Sequence, residues 1–221
     1  MIQTTFFDSV VLLVLSTGTT LTISALGIAI GFAIALPVCA CVLSGKAPLV
    51  LLGRFYISFF RGVPLLVQLL LIYYLLPFVG LELPSFVAGA LGLGACTAAY
   101  QAENIRGGFL AVPKGQAEAA HAMGYGQLQT WRNILLPQAF RSALPSIVNE
   151  MIAILKASSL VSVVGVSELT RVAQSIVART YQPLEWYMMA AFLYLILNIA
   201  LSWAANRSMR GLTVSVQEFR L

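Results

Sequence analysis

Apolar residues run through this chain in blocks too long for one face of a helix or strand in a water-soluble domain. Five blocks reach the roughly 20 residues that a helix needs to cross a hydrocarbon layer: residues 19–43, 55–79, 84–102, 143–164 and 186–205. Apolar sequence starts earlier, near Val10, but 10–43 is too long for one upright crossing at about 1.5 Å per residue, so the residues before 19 are expected at the interface. The pattern predicts an all-α integral membrane protein, a single domain over 1–221 with about five transmembrane helices. A polar excursion over 111–137 separates the third from the fourth.

Within the first block Gly27 and Gly31 share one helix face, where a second helix can approach closely and a dimer contact is one reading. Pro37 predicts a kink in the same helix, with the freed backbone groups satisfied by neighbours.

Composition agrees with the pattern. The 221 residues are 59% hydrophobic and 10% charged, against about 25% charged in an ordinary soluble domain. The net charge of +5 does not indicate nucleic acid, because the basic residues flank apolar blocks instead of forming a stripe interleaved with aromatics. Lys46, Arg54, Arg106, Lys114, Arg132, Arg141, Arg207, Arg210 and Arg220 follow blocks one, three and five, whereas the opposite side has only Arg171 and Arg179. The positive-inside rule then sets the amino terminus outside and the carboxyl terminus in the cytoplasm. The first positive charge is Lys46, so no basic region precedes the first apolar block and the amino terminus is expected to be retained. Cys39, Cys41 and Cys96 lie inside apolar segments without a second ligand cluster, which reads as small core residues and not a zinc site.

The polar excursion has its own punctuation. Pro113 suits a first helical turn, the strong helix formers of 114–123 follow, and Gly124 ends the run. A second short stretch over 127–133 leads to Ile134 and Leu136-Pro137, where the chain is expected to turn back to the bilayer. The small side chains of Ala119, Ala120 and Ala122 would let this helix sit deep in a groove of another protein, with Glu118 and His121 hydrogen-bonding at its rim. A solvated helix that only caps the bundle is the other reading of the same residues.

The fourth block contains polar groups at depth. Glu150 lies nine residues beyond Arg141, about 13 Å along an ideal helix, and Lys156 is seven residues from Asn149 on nearly the same face. Ser158 and Ser159 stand beside it. Charge inside a bilayer faces a cavity or a partner, so Asn149, Glu150, Lys156, Ser158 and Ser159 are candidates for a solute path, with Gln68 and Tyr100 as weaker ones. Alternatively these groups bond to neighbouring helices and fix the bundle. Glu103 and Arg106 are expected to pair at the cytoplasmic interface, and Arg61 to anchor the inner end of the second block. Glu168, Arg171, Arg179 and Glu185 are read as a landing surface for an external partner or as a solvated loop.

Some chemistry is missing. The three lysines, Lys46, Lys114 and Lys156, do not complete G-x-x-x-x-G-K-[ST], the loop that surrounds nucleotide phosphates. His121 is the only histidine, which rules out a multi-histidine metal centre.

The spacing Glu118-Ala119-Ala120, three residues, Gly124, nine residues, Ile134, one residue, Leu136-Pro137 resembles the EAA loop of ATP-binding cassette import permeases. "RGVPLLVQLLLIYYLLP" from Arg61, "AYQAENIRGGFLAVPKGQAEAA" from Ala99, "LPQAFRSALPSIVNEMIAILKASSLVSVVGVSEL" from Leu136 and "TYQPLEWY" from Thr180 are similar to its polar amino acid subfamily. The resemblance implies a type I importer fold in a bacterial inner membrane and a loop docked on a separate ATPase dimer that binds ATP and Mg. Glu118, Ala119, Ala120 and Gly124 would belong to the docking surface, with Leu136 and Pro137 at its exit. It further implies a second permease chain, identical or homologous, and an extracytoplasmic solute-binding protein that delivers a small polar amino acid. Related importers of basic amino acids often have an acidic residue where Ala157 stands, which argues against a strongly cationic solute. An ion-gradient-driven transporter and an ATPase-recruiting scaffold are the competing functions. The first is disfavoured by the lack of a clear inverted repeat, the second by the polar groups of the fourth block.

Overall fold

A computed structural model describes residues 6–217, apart from the side chains of Ser208 and 210–217. Of the basic residues used for orientation, Arg220 and the side chain of Arg210 lie outside that description. The helices are α1 (Phe6–Leu43), α2 (Ala47–Gly62), α3 (Leu65–Leu75), α4 (Ser85–Leu110), α5 (Lys114–Ala122), α6 (Gln127–Thr130), α7 (Leu136–Ala157), α8 (Leu169–Thr180) and α9 (Pro183–Gln217). Short 3-10 turns extend α3 to Val79 and α7 to Val164.

The centre of the bundle is α4. Its small residues are buried on all sides, the signature of a core helix, and it packs against α1, α7, α2 and α3. The contact with α1 uses the glycines flagged in the sequence, but the partner is intramolecular. A Cβ on Gly31 would stand 2.6 Å from Thr97 Cγ2, and one on Gly94 would stand 2.5 Å from Ile30 Cγ2. At such spacing only glycine lets the backbones approach. Gly31→Leu is therefore expected to cost about 1–3 kcal/mol through overpacking. The check is the thermal midpoint of the purified chain in detergent, which an idle glycine would leave unchanged.

α1 is one helix from Phe6 onward. Residues before 19 do not float at an interface: Leu13 is fully buried among Leu169, Ala173, Ile176 and Trp186 of α8 and α9. Ser16, Thr20 and Ser24 tolerate burial there because each hydroxyl donates to a carbonyl one turn earlier.

The second apolar block is not a single straight span. It bends by 104° between α2 and α3. Pro64 offers no N–H, and Val63 before it is extended, as a residue preceding proline prefers. The carbonyls left at the break are recovered by Gln68, whose Nε2 donates to Phe60 O at 2.8 Å and Val63 O at 2.7 Å. α1, α9 and the continuous run Gln127–Val164 are each long and apolar enough to cross a membrane, and the bent α2–α3 pair passes the same test together.

Candidate coupling hairpin and solute path

α5 starts after Pro113 and ends at Gly124, whose φ of 81° is left-handed. This backbone returns the chain: Gly124 N donates to His121 O and Tyr125 N to Ala120 O, closing the last turn of the helix. Gly126 N then donates to Gln129 Oε1, and Thr130 Oγ1 to Gly126 O, which starts α6. His121 Nδ1 stands 3.2 Å from Tyr125 O, and its side chain is exposed.

Glu118, Ala119 and Gly124 point outward, as do Leu136 and Pro137. Ala120 does not. It is 2% exposed and packs back on its own chain, because helical periodicity turns it away from Ala119. The expected turn at 134–137 is also absent. Trp131–Leu135 forms a π-helical segment, closed by Leu136 N donating to Trp131 O, and runs directly into α7. Pro137 fits because it lies in the first turn of α7, where its missing N–H is cheap. Two docking candidates escaped the sequence reading: Met123 and Leu128, 77% and 79% exposed at the hairpin tip. Their signal was there, as apolar side chains in an otherwise polar loop.

The hairpin is fastened to the bundle at its root. Trp131 packs on Phe109 with ring centroids 4.8 Å apart, and Gln138 Nε2 reaches Gln116 Oε1 and Ile134 O. These contacts join the hairpin to the start of α7.

Along α7 the exposed residues Ser142, Ser146, Asn149, Ala153 and Lys156 form one helical stripe, small or polar throughout. Asn149 and Lys156 are thus brought together on a free face, and Glu150 stands half-buried beside it. Ser158 and Ser159 donate their hydroxyls to Leu155 O and Lys156 O, which caps the end of α7. Tyr100 lies under Arg61, whose guanidinium carbon is 5.2 Å from the ring centroid. Gln68 is 2% exposed; its Nε2 clamps the α2–α3 break, while its buried Oε1 has no hydrogen-bond partner among the described residues.

A charged cluster joins α2 to α4. Arg106 grips Glu103 through Nε and Nη2 at 2.9 and 2.7 Å, and Arg61 Nη1 stands 3.9 Å from the same carboxylate. Gln101 and Asn104, which sequence reasoning passed over, donate across from α4 to Ile147 O and Ser146 O of α7. At the other end Arg171, Arg179 and Glu185 are exposed, but Glu168 is fully buried and is no part of a landing surface.

Residues 27–214 match the family model described as binding-protein-dependent transport system inner membrane component. The chain belongs to this family. This permease is 36% identical over 202 residues to the putative glutamine transport system permease protein GlnP of Rickettsia conorii, covering 91% of this chain and 93% of that one. It is 37% identical over 194 residues to the arginine transport system permease protein ArtQ of Bacillus subtilis, covering 87% and 89%. A crystal structure of an amino acid ABC transporter with histidines superimposes with a TM-score of 0.85 at 38% identity, over 90% of the permease and 93% of that chain. The permease is accordingly an inner membrane component of a binding-protein-dependent transport system with the type I importer fold.

Proposed function

We propose that this permease is one of two membrane subunits, identical or homologous, that together pass a polar amino acid or amino-acid derivative into the bacterial cytoplasm. An ATP-binding cassette dimer, holding ATP and Mg, seats the hairpin through Glu118, Ala119, Gly124, Met123 and Leu128. An extracytoplasmic binding protein presents the solute at the opposite end, where Arg171, Arg179 and Glu185 are free. The observation that carries the reading is the continuity of α7: one rod leads from the hairpin through the π segment to the stripe of Asn149 and Lys156. Such a stripe is unsuited to lipid, and a facing second permease would enclose it. The amino terminus outside and the carboxyl terminus inside follow from the basic residues at the hairpin end.

Reconstituted vesicles test this. Uptake is expected only when ATPase and binding protein are both supplied, and uptake on an ion gradient alone would refute it. A zwitterionic solute needs an acceptor for its ammonium group and a cation or amide for its carboxylate, roles that fit Glu150 and the Lys156–Asn149 face. Glu150→Gln is expected to weaken solute-dependent uptake about tenfold, the loss of roughly one charge-assisted hydrogen bond. Unaltered solute dependence would remove Glu150 from the path.

A further inference from the structure

At the root of the hairpin the ends of three elements leave a cavity of about 320 Å³ between Leu36 and Ala40 of α1, Phe109 of α4, and Trp131 and Leu136. No charged side chain lines it, and the one hydroxyl in its wall, Ser44 Oγ, already donates to Cys41 O. Leu36, Trp131 and Leu136 are substantially exposed, so the cavity opens to the surroundings. An α-helix, about 10–12 Å across with its side chains, is too thick to enter it. An aliphatic chain is not.

The rim differs from the wall. Lys46 follows the lining residue Ser44 by two positions, its backbone N donating to Ser44 Oγ at 3.3 Å, and Arg132 is next in sequence to the lining residue Trp131. Both are exposed, and neither takes part in an ion pair among the described residues. Two exposed cations without an ion pair, adjacent in sequence to the wall of an apolar slot, complement an amphiphile with a negative head.

We infer that this cavity binds an anionic phospholipid of the inner leaflet, one acyl chain between α1, α4 and Trp131, and the headgroup held by Lys46 and Arg132. The inference rests on the proposed orientation of the permease. A lipid seated there bridges the end of α1 to the π segment through which hairpin and α7 are joined, so membrane composition would act on the stiffness of that joint.

The test uses the full chain in phosphatidylcholine vesicles containing a minor fraction of dibrominated phosphatidylglycerol or, in parallel, of dibrominated phosphatidylcholine. The Trp131 signal is taken as the difference between the parent and Trp131→Phe. Quenching of that signal is expected to be severalfold stronger with the brominated anionic lipid. The preference should vanish in Lys46→Gln/Arg132→Gln, and Ala40→Phe, which fills the slot, should reduce quenching to the level of the zwitterionic lipid. Equal quenching by both lipids in the parent, or a preference indifferent to these variants, would overturn the site. So would protection of Trp131 from both lipids by bound ATPase, which would identify that subunit as the occupant. A Lys46→Cys chain treated with an impermeant maleimide outside intact cells reports separately on orientation. Protection there combined with equal quenching rejects the lipid site alone, whereas labelling rejects the orientation and the site with it.

Discussion

Gly124→Asp is expected to abolish ATP-driven uptake while the permease remains inserted and folded. Within the chain a Cβ at Gly124 meets nothing within 4 Å, so the substitution causes no internal clash. Its internal cost is the left-handed φ of 81°, about 1 kcal/mol for a side chain that tolerates this region. That is small against a stability of about 5–15 kcal/mol. The open space above Gly124 belongs, in the proposed function, to the ATPase groove, where a new carboxylate would be buried without a partner beside Glu118. Gly124→Asn separates the two effects, since asparagine accepts the left-handed backbone best among residues with a side chain. If bulk at the interface matters, Asn fails almost as completely as Asp, and co-purification of the ATPase drops for both. If only backbone strain matters, Asn retains uptake. Full uptake and normal ATPase association in the Asp variant would remove the hairpin from coupling altogether.

The hairpin was legible in sequence because its determinants are local: a proline at the start, helix formers, a glycine that must be left-handed. Ala120 was misplaced for a related reason. Composition marks a run of small residues, but only the packing of α5 on its own root tells which of two adjacent alanines faces out. The break after Arg61 had its signals in Gly62 and Pro64, yet hydropathy averaged over 55–79 is blind to direction, so one span was read where two helices meet at 104°. Gln68 then looked like a pocket residue. Its amide serves carbonyls that the bend itself created. The early part of α1 was assigned to the interface by a length argument that assumes a helix needs lipid on all sides, whereas Leu13 finds α8 and α9 instead. Non-local burial of this kind leaves no periodic trace in one sequence.

Glu168 shows the same limit with larger consequences, and Glu168→Ala is expected to release α8 from the bundle. The carboxylate caps α8 by accepting from Thr170 N at 2.9 Å and Arg171 N at 2.8 Å, and it also accepts from Tyr194 Oη of α9 at 2.6 Å. Leu169 N, next in sequence, donates to Thr20 Oγ1 of α1 at 3.1 Å. One buried cluster thus ties α8 to both long helices. Alanine removes the cap and takes the carboxylate acceptor from a half-buried phenol that keeps only its 3.1 Å contact with Thr170 Oγ1, together about 2–4 kcal/mol. The amides of α8 should then exchange with solvent far faster than those of α4, which keep their packing. Tyr194→Phe should cost less by itself and almost nothing more in the Glu168→Ala background, because both remove the same bond. A landing-surface role predicts the reverse pattern: loss of binding-protein-stimulated uptake with α8 exchange unchanged. Since Glu168 has no exposed surface, slow exchange in α8 of the alanine variant would contradict the clamp, and any effect of the residue on transport would need another physical cause.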